Sequence, residues 1–288
     1  MLQTLTAGCN GVADLLFSLI CGIVCALLWG QISVEAKRRL HLPLAASAGL
    51  LSLLSAIRGY LLAVTMLGVS QPRTVFHELS DVLLSTHAGR VLLPQFFIGF
   101  LMAACAMLFR SRRLYFPLIT VLVLVLSIFR SASGHAASDG DFSLREICQW
   151  VHLVSTGVWS GGVIVASSFV FCGQRAPFPT AAALRLSKQS LLAVIFVMVS
   201  GAGNTWLSTN GALTQIPHYA WGWVLILKLV LVTVALILGG VNRRTLRGIA
   251  ENSANEDRFI RRLRSEAFLI VFVLLVSGWL AALPPVGQ

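Results

Sequence analysis

The stretch WVHLVSTGVWSGG, residues 150–162, places His152 about two turns inside a predicted membrane-spanning helix. An ionisable side chain inside a bilayer costs roughly 2.5 kcal/mol or more, so such a residue suggests a functional role. Histidine in particular carries protons or binds metal ions. A second histidine, His135, lies in the short polar loop before this helix. Together the two residues predict a site near one membrane face.

The composition places the whole chain in a membrane. Of its 288 residues, 57% are hydrophobic and 11% are charged, whereas soluble domains carry about 25% charged residues. The connections between apolar stretches are too short for a soluble catalytic domain. We therefore predict an all-α, polytopic membrane helix bundle, with 1–288 as a single integral membrane domain in the lipid bilayer. The eight predicted transmembrane helices, each near the length that a bilayer requires, cover roughly 13–34, 42–68, 91–109, 114–130, 145–171, 185–209, 218–241 and 265–283.

Positive charge falls in alternate loops. The net charge is +11, and 16 of the 22 Lys and Arg residues lie in loops that would share one face. By the positive-inside rule this face is cytoplasmic, so both termini are predicted to lie outside the cytoplasm. The basic excess is thus an orientation signal, and nucleic acid is not an expected partner. The basic clusters span 37–39, 110–113, 175–188 and 243–264, while Arg73, Arg90, Arg130 and Arg145 are assigned to the opposite loops.

Most histidines gather at the predicted outer face, which favours a first-row transition metal, copper or zinc in particular. His152 shares a helical face with Thr156 and Trp159. The alternative is that His152 only hydrogen-bonds a facing helix and that the other outer histidines are exposed loop residues. The five outer histidines are His77, His87, His135, His152 and His218, and Gly157, Gly161 and Gly162 would let another helix approach closely.

Two cations, Arg58 and Lys228, fall near the middle of predicted spans and need partners or a wet cavity. Asp14 and Glu266 are the acidic residues close to spans. Structural ion pairing and a place in a permeation path are both compatible with the sequence. A cationic interior would repel a copper ion unless it is neutralised. Asn204, within GAGNTW at 201–206, is predicted to form a helix–helix hydrogen bond.

The cysteines offer two further possibilities. Cys21 and Cys25 lie one helical turn apart and either present soft thiols to Cu(I) or serve as small packing residues. Cys9 and Cys148 both fall near the outer face, where a disulfide is possible but its connectivity is not fixed by sequence. The chain lacks the GxxxxGK[ST] motif of P-loop ATPases, the HExxH motif of metalloproteases and the GxSxG motif of hydrolases. No enzyme activity is therefore expected.

Five blocks follow one another in a fixed order: GHAAS at 134–138, HLVSTGVWSGG at 152–162, and the longer segments 184–206, 219–244 and 262–285. Together they resemble the CopD/PcoD family of bacterial copper-resistance and copper-uptake inner-membrane proteins. The best-matching segment is the C-terminal one, 184–285, which covers the last three predicted helices. The resemblance implies an eight-helix protein of the bacterial inner membrane, with both termini periplasmic, that handles copper, often beside a periplasmic copper-binding partner of the CopC type.

The resemblance also implies ligands. The histidines of the family's GHA and HL…W.GG motifs correspond to His135 and His152. Relatives often carry a histidine near the outer end of the first helix, where this chain has Cys9, Asn10 and Asp14. His87 or Asp14 would then supply a third ligand.

The first functional hypothesis is a copper transporter that takes the ion from the periplasm through the outer histidine site. Metal binding would weaken below about pH 6 as the histidines protonate. A second hypothesis is a haem-binding electron-transfer protein, although only His152 lies well inside a span. A third is a non-transporting docking or sensing subunit for a periplasmic copper protein.

Overall fold

The computed structural model describes residues 2–29, 34–69, 71–109, 114–133, 140–171, 180–246 and 253–285. Within these ranges the regular structure is entirely helical, as predicted, and includes a single 3₁₀ helix at Leu213–His218. The α-helices are α1 (Leu2–Leu28), α2 (Val34–Arg39), α3 (His41–Leu67), α4 (Pro72–Ser85), α5 (His87–Leu108), α6 (Tyr115–Ser131), α7 (Leu144–Phe171), α8 (Thr180–Ser208), α9 (Ala220–Leu246) and α10 (Ser253–Ala282).

Seven of the described helices are long and apolar enough to cross a membrane, namely α1, α3, α5, α7, α8, α9 and α10. The remaining apolar helix, α6, has 17 residues and so measures about 25 Å. Two helix ends were predicted wrongly: α1 begins at Leu2 rather than at residue 13, and α10 begins at Ser253 rather than at 265. Hydropathy detects only the apolar part of a helix, whereas backbone hydrogen bonding continues into polar turns.

Helix α4 is amphipathic, and the eight-span pattern did not predict it. Pro72 occupies its first turn, where a missing N–H costs nothing. Its buried face is short: Val75 and Val82 pack with Ala63 of α3 in a small separate cluster. The opposite face carries exposed residues such as Phe76 and His77. This helix therefore lies on the bundle as a surface element between α3 and α5.

Helix α1 forms the centre of the bundle and packs against α7 and α10 through paired glycines. A Cβ added to Gly161 of α7 would overlap the backbone of Ser18 and Gly22 on α1. A Cβ on Gly278 of α10 would overlap the backbone of Gly11 in the same way. Small residues at such crossings let helix backbones approach closely in membranes. The prediction of close approach at the glycines of α7 is thus confirmed for Gly161.

Hydrogen bonds between helices define the two ends of the bundle. At one end, Trp150 of α7 donates to Ser127 of α6 over 2.8 Å, and Arg145 of α7 donates to the Leu207 carbonyl of α8 over 2.8 Å. We call this the histidine end, because His152 and His87 lie toward it. At the other end, which we call the basic end, His41 of α3 pairs with the Tyr115 hydroxyl at the start of α6 over 2.8 Å.

Candidate metal site

His152 lies against α8, and one ring nitrogen is fixed by a serine. Its Nδ1 is 3.2 Å from the Ser200 Oγ. The Ser200 hydroxyl donates its only proton to the Phe196 carbonyl, 2.5 Å away, so its oxygen accepts from His152. Nδ1 therefore carries the proton of the neutral ring, and Nε2 keeps a free lone pair. Such a second partner fixes the tautomer and orientation of metal-binding histidines.

The surroundings of this imidazole leave Nε2 available. Within the described residues the side-chain hydrogen bond of this ring is made by Nδ1, and the Val197 carbonyl of α8 also acts on the ring. The ring rests on Gly201 of α8, where an added Cβ would stand 3.2 Å from His152 Cε1. Lys228 of α9 is near enough for its charge to act on the ring. The arrangement suits a neutral, oriented histidine with one nitrogen open to a ligand.

His87, at the start of α5, makes contacts on both ring nitrogens. Its Nε2 donates to the Ala132 carbonyl over 3.3 Å, and its Nδ1 is 3.7 Å from Asp141 Oδ1. Metal–ligand bonds of about 2.0–2.2 Å would fit between two atoms at that separation. Asp141, which was not selected from the sequence, is thus a possible partner of His87. His135 belongs to the segment between Ala132 and Asp141 and lies outside the described residues.

Asp14 is engaged in an ion pair with Arg130. The Arg130 Nη2 is 2.6 Å from Asp14 Oδ1, and the Arg130 side chain is 6% exposed. The sequence had assigned Arg130 to an outer loop, and that assignment is wrong, because the residue belongs to the last turn of α6. One oxygen of Asp14 is therefore already used, which restricts this carboxylate as a metal ligand.

Arg58 and Lys228 are the two cations near the middle of predicted spans. Neither forms an ion pair within 4.0 Å among the described residues. The charge of Asp14 nevertheless acts on Arg58 and on Lys228. Asp14 is thus the common counter-charge for Arg58, Arg130 and Lys228. One carboxylate offsets the charge of one cation, so Asp14 alone does not neutralise all three.

Asn204 and Trp159 have separate surroundings. Asn204 of α8 donates from Nδ2 to Gln149 Oε1 of α7 over 2.8 Å, which confirms the predicted helix–helix hydrogen bond. Trp159 is 4% exposed and lines a cavity toward the basic end. It therefore lies about two turns deeper than His152 and away from that ring.

The predicted ligands do not form one cluster in the part of the chain that the structure covers. Among the residues it describes, no three His, Cys, Asp or Glu side chains come together as a metal site. Cys9 and Cys148 are free thiols, as are Cys21 and Cys25. The described part of the candidate site therefore consists of two separate pairs of side chains, His152 with Ser200 and His87 with Asp141.

Sequence reasoning missed three residues that shape this end of the bundle, namely Arg130, Ser200 and Asp141. Ser200 carried no signal beyond being a hydroxyl in an apolar helix. Arg130 carried a signal that was misread, since an arginine directly after an apolar run can lie inside the bundle if a carboxylate meets it. Asp141 was noticed only as part of the polar loop, and its proximity to His87 depends on how α5 meets the start of α7.

The fold and these polar groups define a polytopic membrane protein with an oriented histidine inside one span. Its N-terminal half, residues 1–144, matches the family model described as copper resistance protein D-like, N-terminal domain. Residues 180–280 match a second model, copper resistance protein D. The chain belongs to the CopD family of copper-resistance proteins, as its sequence blocks indicated.

One curated relative is a copper transport protein that matches part of the chain. The chain is 26% identical over 171 residues to the copper transport protein CutJ of Bacillus subtilis (strain 168), which covers 58% of this chain. The match covers 30% of that relative's length, so most of the relative has no counterpart in this alignment. No solved structure is significantly similar to this chain.

Proposed function

We propose that this protein carries copper across a bacterial inner membrane, from the periplasm inward, and that it is a transporter rather than an enzyme. The observation that supports this most directly is the His152–Ser200 contact of 3.2 Å. It holds the imidazole in the tautomer that offers Nε2 to a soft or borderline metal ion. Copper is the substrate, in keeping with the family and with the copper transport relative.

In this proposal His152 and His135 form the entry site, with His87 or Asp14 as a further ligand. His87 is the better candidate of the two, because Arg130 already engages Asp14. His87 also contacts residues on both sides of the segment that contains His135, namely Ala132 and Asp141. A CopC-like periplasmic protein would deliver the ion at this end.

The orientation belongs to the same proposal. We infer that α6 is an eighth span, since Tyr115 meets His41 at the basic end and Arg130 meets Asp14 toward the histidine end. An even number of spans puts both termini on one side. With the basic clusters in the cytoplasm, the positive-inside rule makes that side the periplasm.

Copper accumulation in cells tests the proposal. Wild type, His152→Ala and His135→Ala would be compared with His77→Ala, a control because the His77 side chain is 84% exposed on α4. We expect wild type and the control to raise cellular copper, and each of the other two variants to lose the effect while inserting normally. If wild type matches the empty vector, transport by this chain is wrong and a docking role replaces it. A Soret band in the purified protein would instead favour the haem hypothesis.

A further inference from the structure

A second polar site lies toward the basic end, apart from His152. A cavity of about 160 Å³ is lined by residues of α7, α8, α9 and α10. That volume accommodates several water molecules. Its walls are mainly apolar, with a few polar groups among them. The polar residues on its wall include Ser190, Asn242, Arg243 and Glu266.

Glu266 is a buried carboxyl group on the wall of this cavity. The residue is 4% exposed, and its Oε2 accepts from Asn242 Nδ2 over 2.9 Å. Gly239 of α9 faces the other oxygen, and a Cβ there would stand 2.9 Å from Oε1. Among the described residues no basic side chain lies within 4.0 Å of the carboxyl group. A buried carboxylate without a counter-ion is costly, so it requires a proton or another cation.

Two further polar atoms around the cavity lack partners in the described part of the chain. Asn242 is 4% exposed, and its Oδ1 accepts no hydrogen bond there. The Ser190 Oγ is also buried without a partner. Buried acceptors of this kind are normally satisfied by protein or by water. Their position on the cavity wall indicates that water enters and reaches Glu266.

The charged groups nearby leave the carboxyl group uncompensated. From α9, Arg243 lines the same cavity. From α10, Arg262 lies one turn before Glu266 and donates to Thr245 Oγ1 over 2.9 Å. Of the described cavity-lining residues on α7 and α8, none is titratable. Glu266 is therefore the acidic group of the cavity.

The donor set distinguishes among possible cations. Oxygen ligands suit hard cations rather than Cu(I). Magnesium and calcium need six or more oxygens in a defined geometry, whereas this wall offers one carboxyl group, one amide oxygen and one hydroxyl. A proton needs a single oxygen and a water path, and both are present here.

We propose that Glu266 is a proton-exchange site that opens toward the basic end of the bundle and couples proton movement to copper movement. The coupling rests on the proposed copper transport, while the proton site itself does not. The carboxyl group holds a proton within the bundle and exchanges it with water through the cavity.

Infrared spectroscopy of the purified protein tests the proton site without any transport. We expect a carbonyl band from a protonated carboxyl group that titrates with pH and is absent in Glu266→Gln. The matched control is Glu146→Gln: Glu146 is 5% exposed, and its Oε2 accepts from the Phe142 backbone N–H over 2.6 Å at the histidine end. The control should keep the band. A band that does not titrate, or that survives in Glu266→Gln, overturns the proposal.

Proteoliposomes with a trapped pH indicator test the coupling. We expect copper flux in wild type to be accompanied by a proton flux, measured as a pH change inside the vesicles. In Glu266→Gln this proton flux should be at least tenfold smaller. Equal proton movement in wild type and Glu266→Gln overturns the coupling. Absence of copper flux in wild type would contradict the proposed function rather than the proton site. The infrared measurement would then be the test of whether Glu266 exchanges protons.

Discussion

Arg130 and Asp14 are 116 positions apart in the chain, and their side chains meet at 2.6 Å in a largely buried ion pair. The guanidinium carbon also lies 5.4 Å from the centre of the Phe17 ring, close enough for a cation–π contact. The pair therefore fastens α6 to the central helix α1 near the end where the metal is expected.

Replacing Asp14 with Asn should destabilise the purified protein by about 3 kcal/mol, because Arg130 would be left buried without its counter-charge. Thermal unfolding in detergent measures this change. Asp81→Asn on α4 is the control, since Asp81 is exposed. Adding Arg130→Gln to Asp14→Asn should recover part of the loss. A stable Asp14→Asn variant that fails to accumulate copper would instead indicate that Asp14 is a metal ligand.

Replacing Ser200 with Ala should weaken copper binding about tenfold, because His152 would lose the contact that fixes its tautomer. Competition with a copper chelator measures the affinity. Ser277→Ala is a matched control: its hydroxyl bonds the Val273 carbonyl one turn back in α10, as Ser200 bonds Phe196. Equal affinities for wild type and Ser200→Ala would show that the contact is only structural.

Removing the positive charge of Lys228 should strengthen copper binding. The ammonium group acts on the His152 ring and would repel a bound cation, so Lys228→Met should gain roughly 1 kcal/mol, or about fivefold in affinity. Lys188→Met is the control, since Lys188 is exposed on α8. Weaker binding in Lys228→Met would mean that the lysine supports the site rather than opposing the metal.

Copper binding should decrease below about pH 6. A protonated imidazole has no lone pair for a metal, so lowering the pH favours the metal-free form. Chelator competition at a series of pH values measures the effect. Affinity that stays constant down to pH 5 would contradict ligation by a histidine that titrates near the ordinary pKa of the side chain, and would leave the buried, neutral His152 as the histidine ligand.

Replacing Gly161 with Ala should destabilise the bundle by about 3 kcal/mol or more, because the added methyl group meets the backbone of α1. Thermal unfolding and the yield of inserted protein measure this. Gly8→Ala on α1 is the control, since nothing lies within 4 Å of a Cβ at that position. A normal melting temperature for Gly161→Ala would show that α1 and α7 are less closely packed.

Apolar stretches predicted the helices well, because a span must bury an uninterrupted run of apolar side chains in lipid. They did not predict α4, since a half-buried surface helix depends on where α3 and α5 leave room for it. Helix ends were also misplaced, at Leu2 and Ser253. Hydropathy carries no information about turns that continue into water.

The site was predictable only in part, for a physical reason. An intramembrane histidine such as His152 is conspicuous, because its burial is costly. Its partner Ser200 is one of many serines and gains meaning only when α7 and α8 are packed together. The same holds for Arg130 and Asp14, whose relationship depends on a contact between helices distant in sequence. His135 lies outside the described residues, so its role stays a prediction.

The glycine crossings of α1 have a mechanical consequence. Where backbones touch at Gly22 and Gly161, and at Gly11 and Gly278, no side chains lie between the helices that could change rotamer and permit sliding. We expect α1, α7 and α10 to move as one rigid piece. Gating must then come from the helices that surround this piece. The cavity also borders α8 and α9, so we expect the movements of the proposed transport cycle on that side of the bundle.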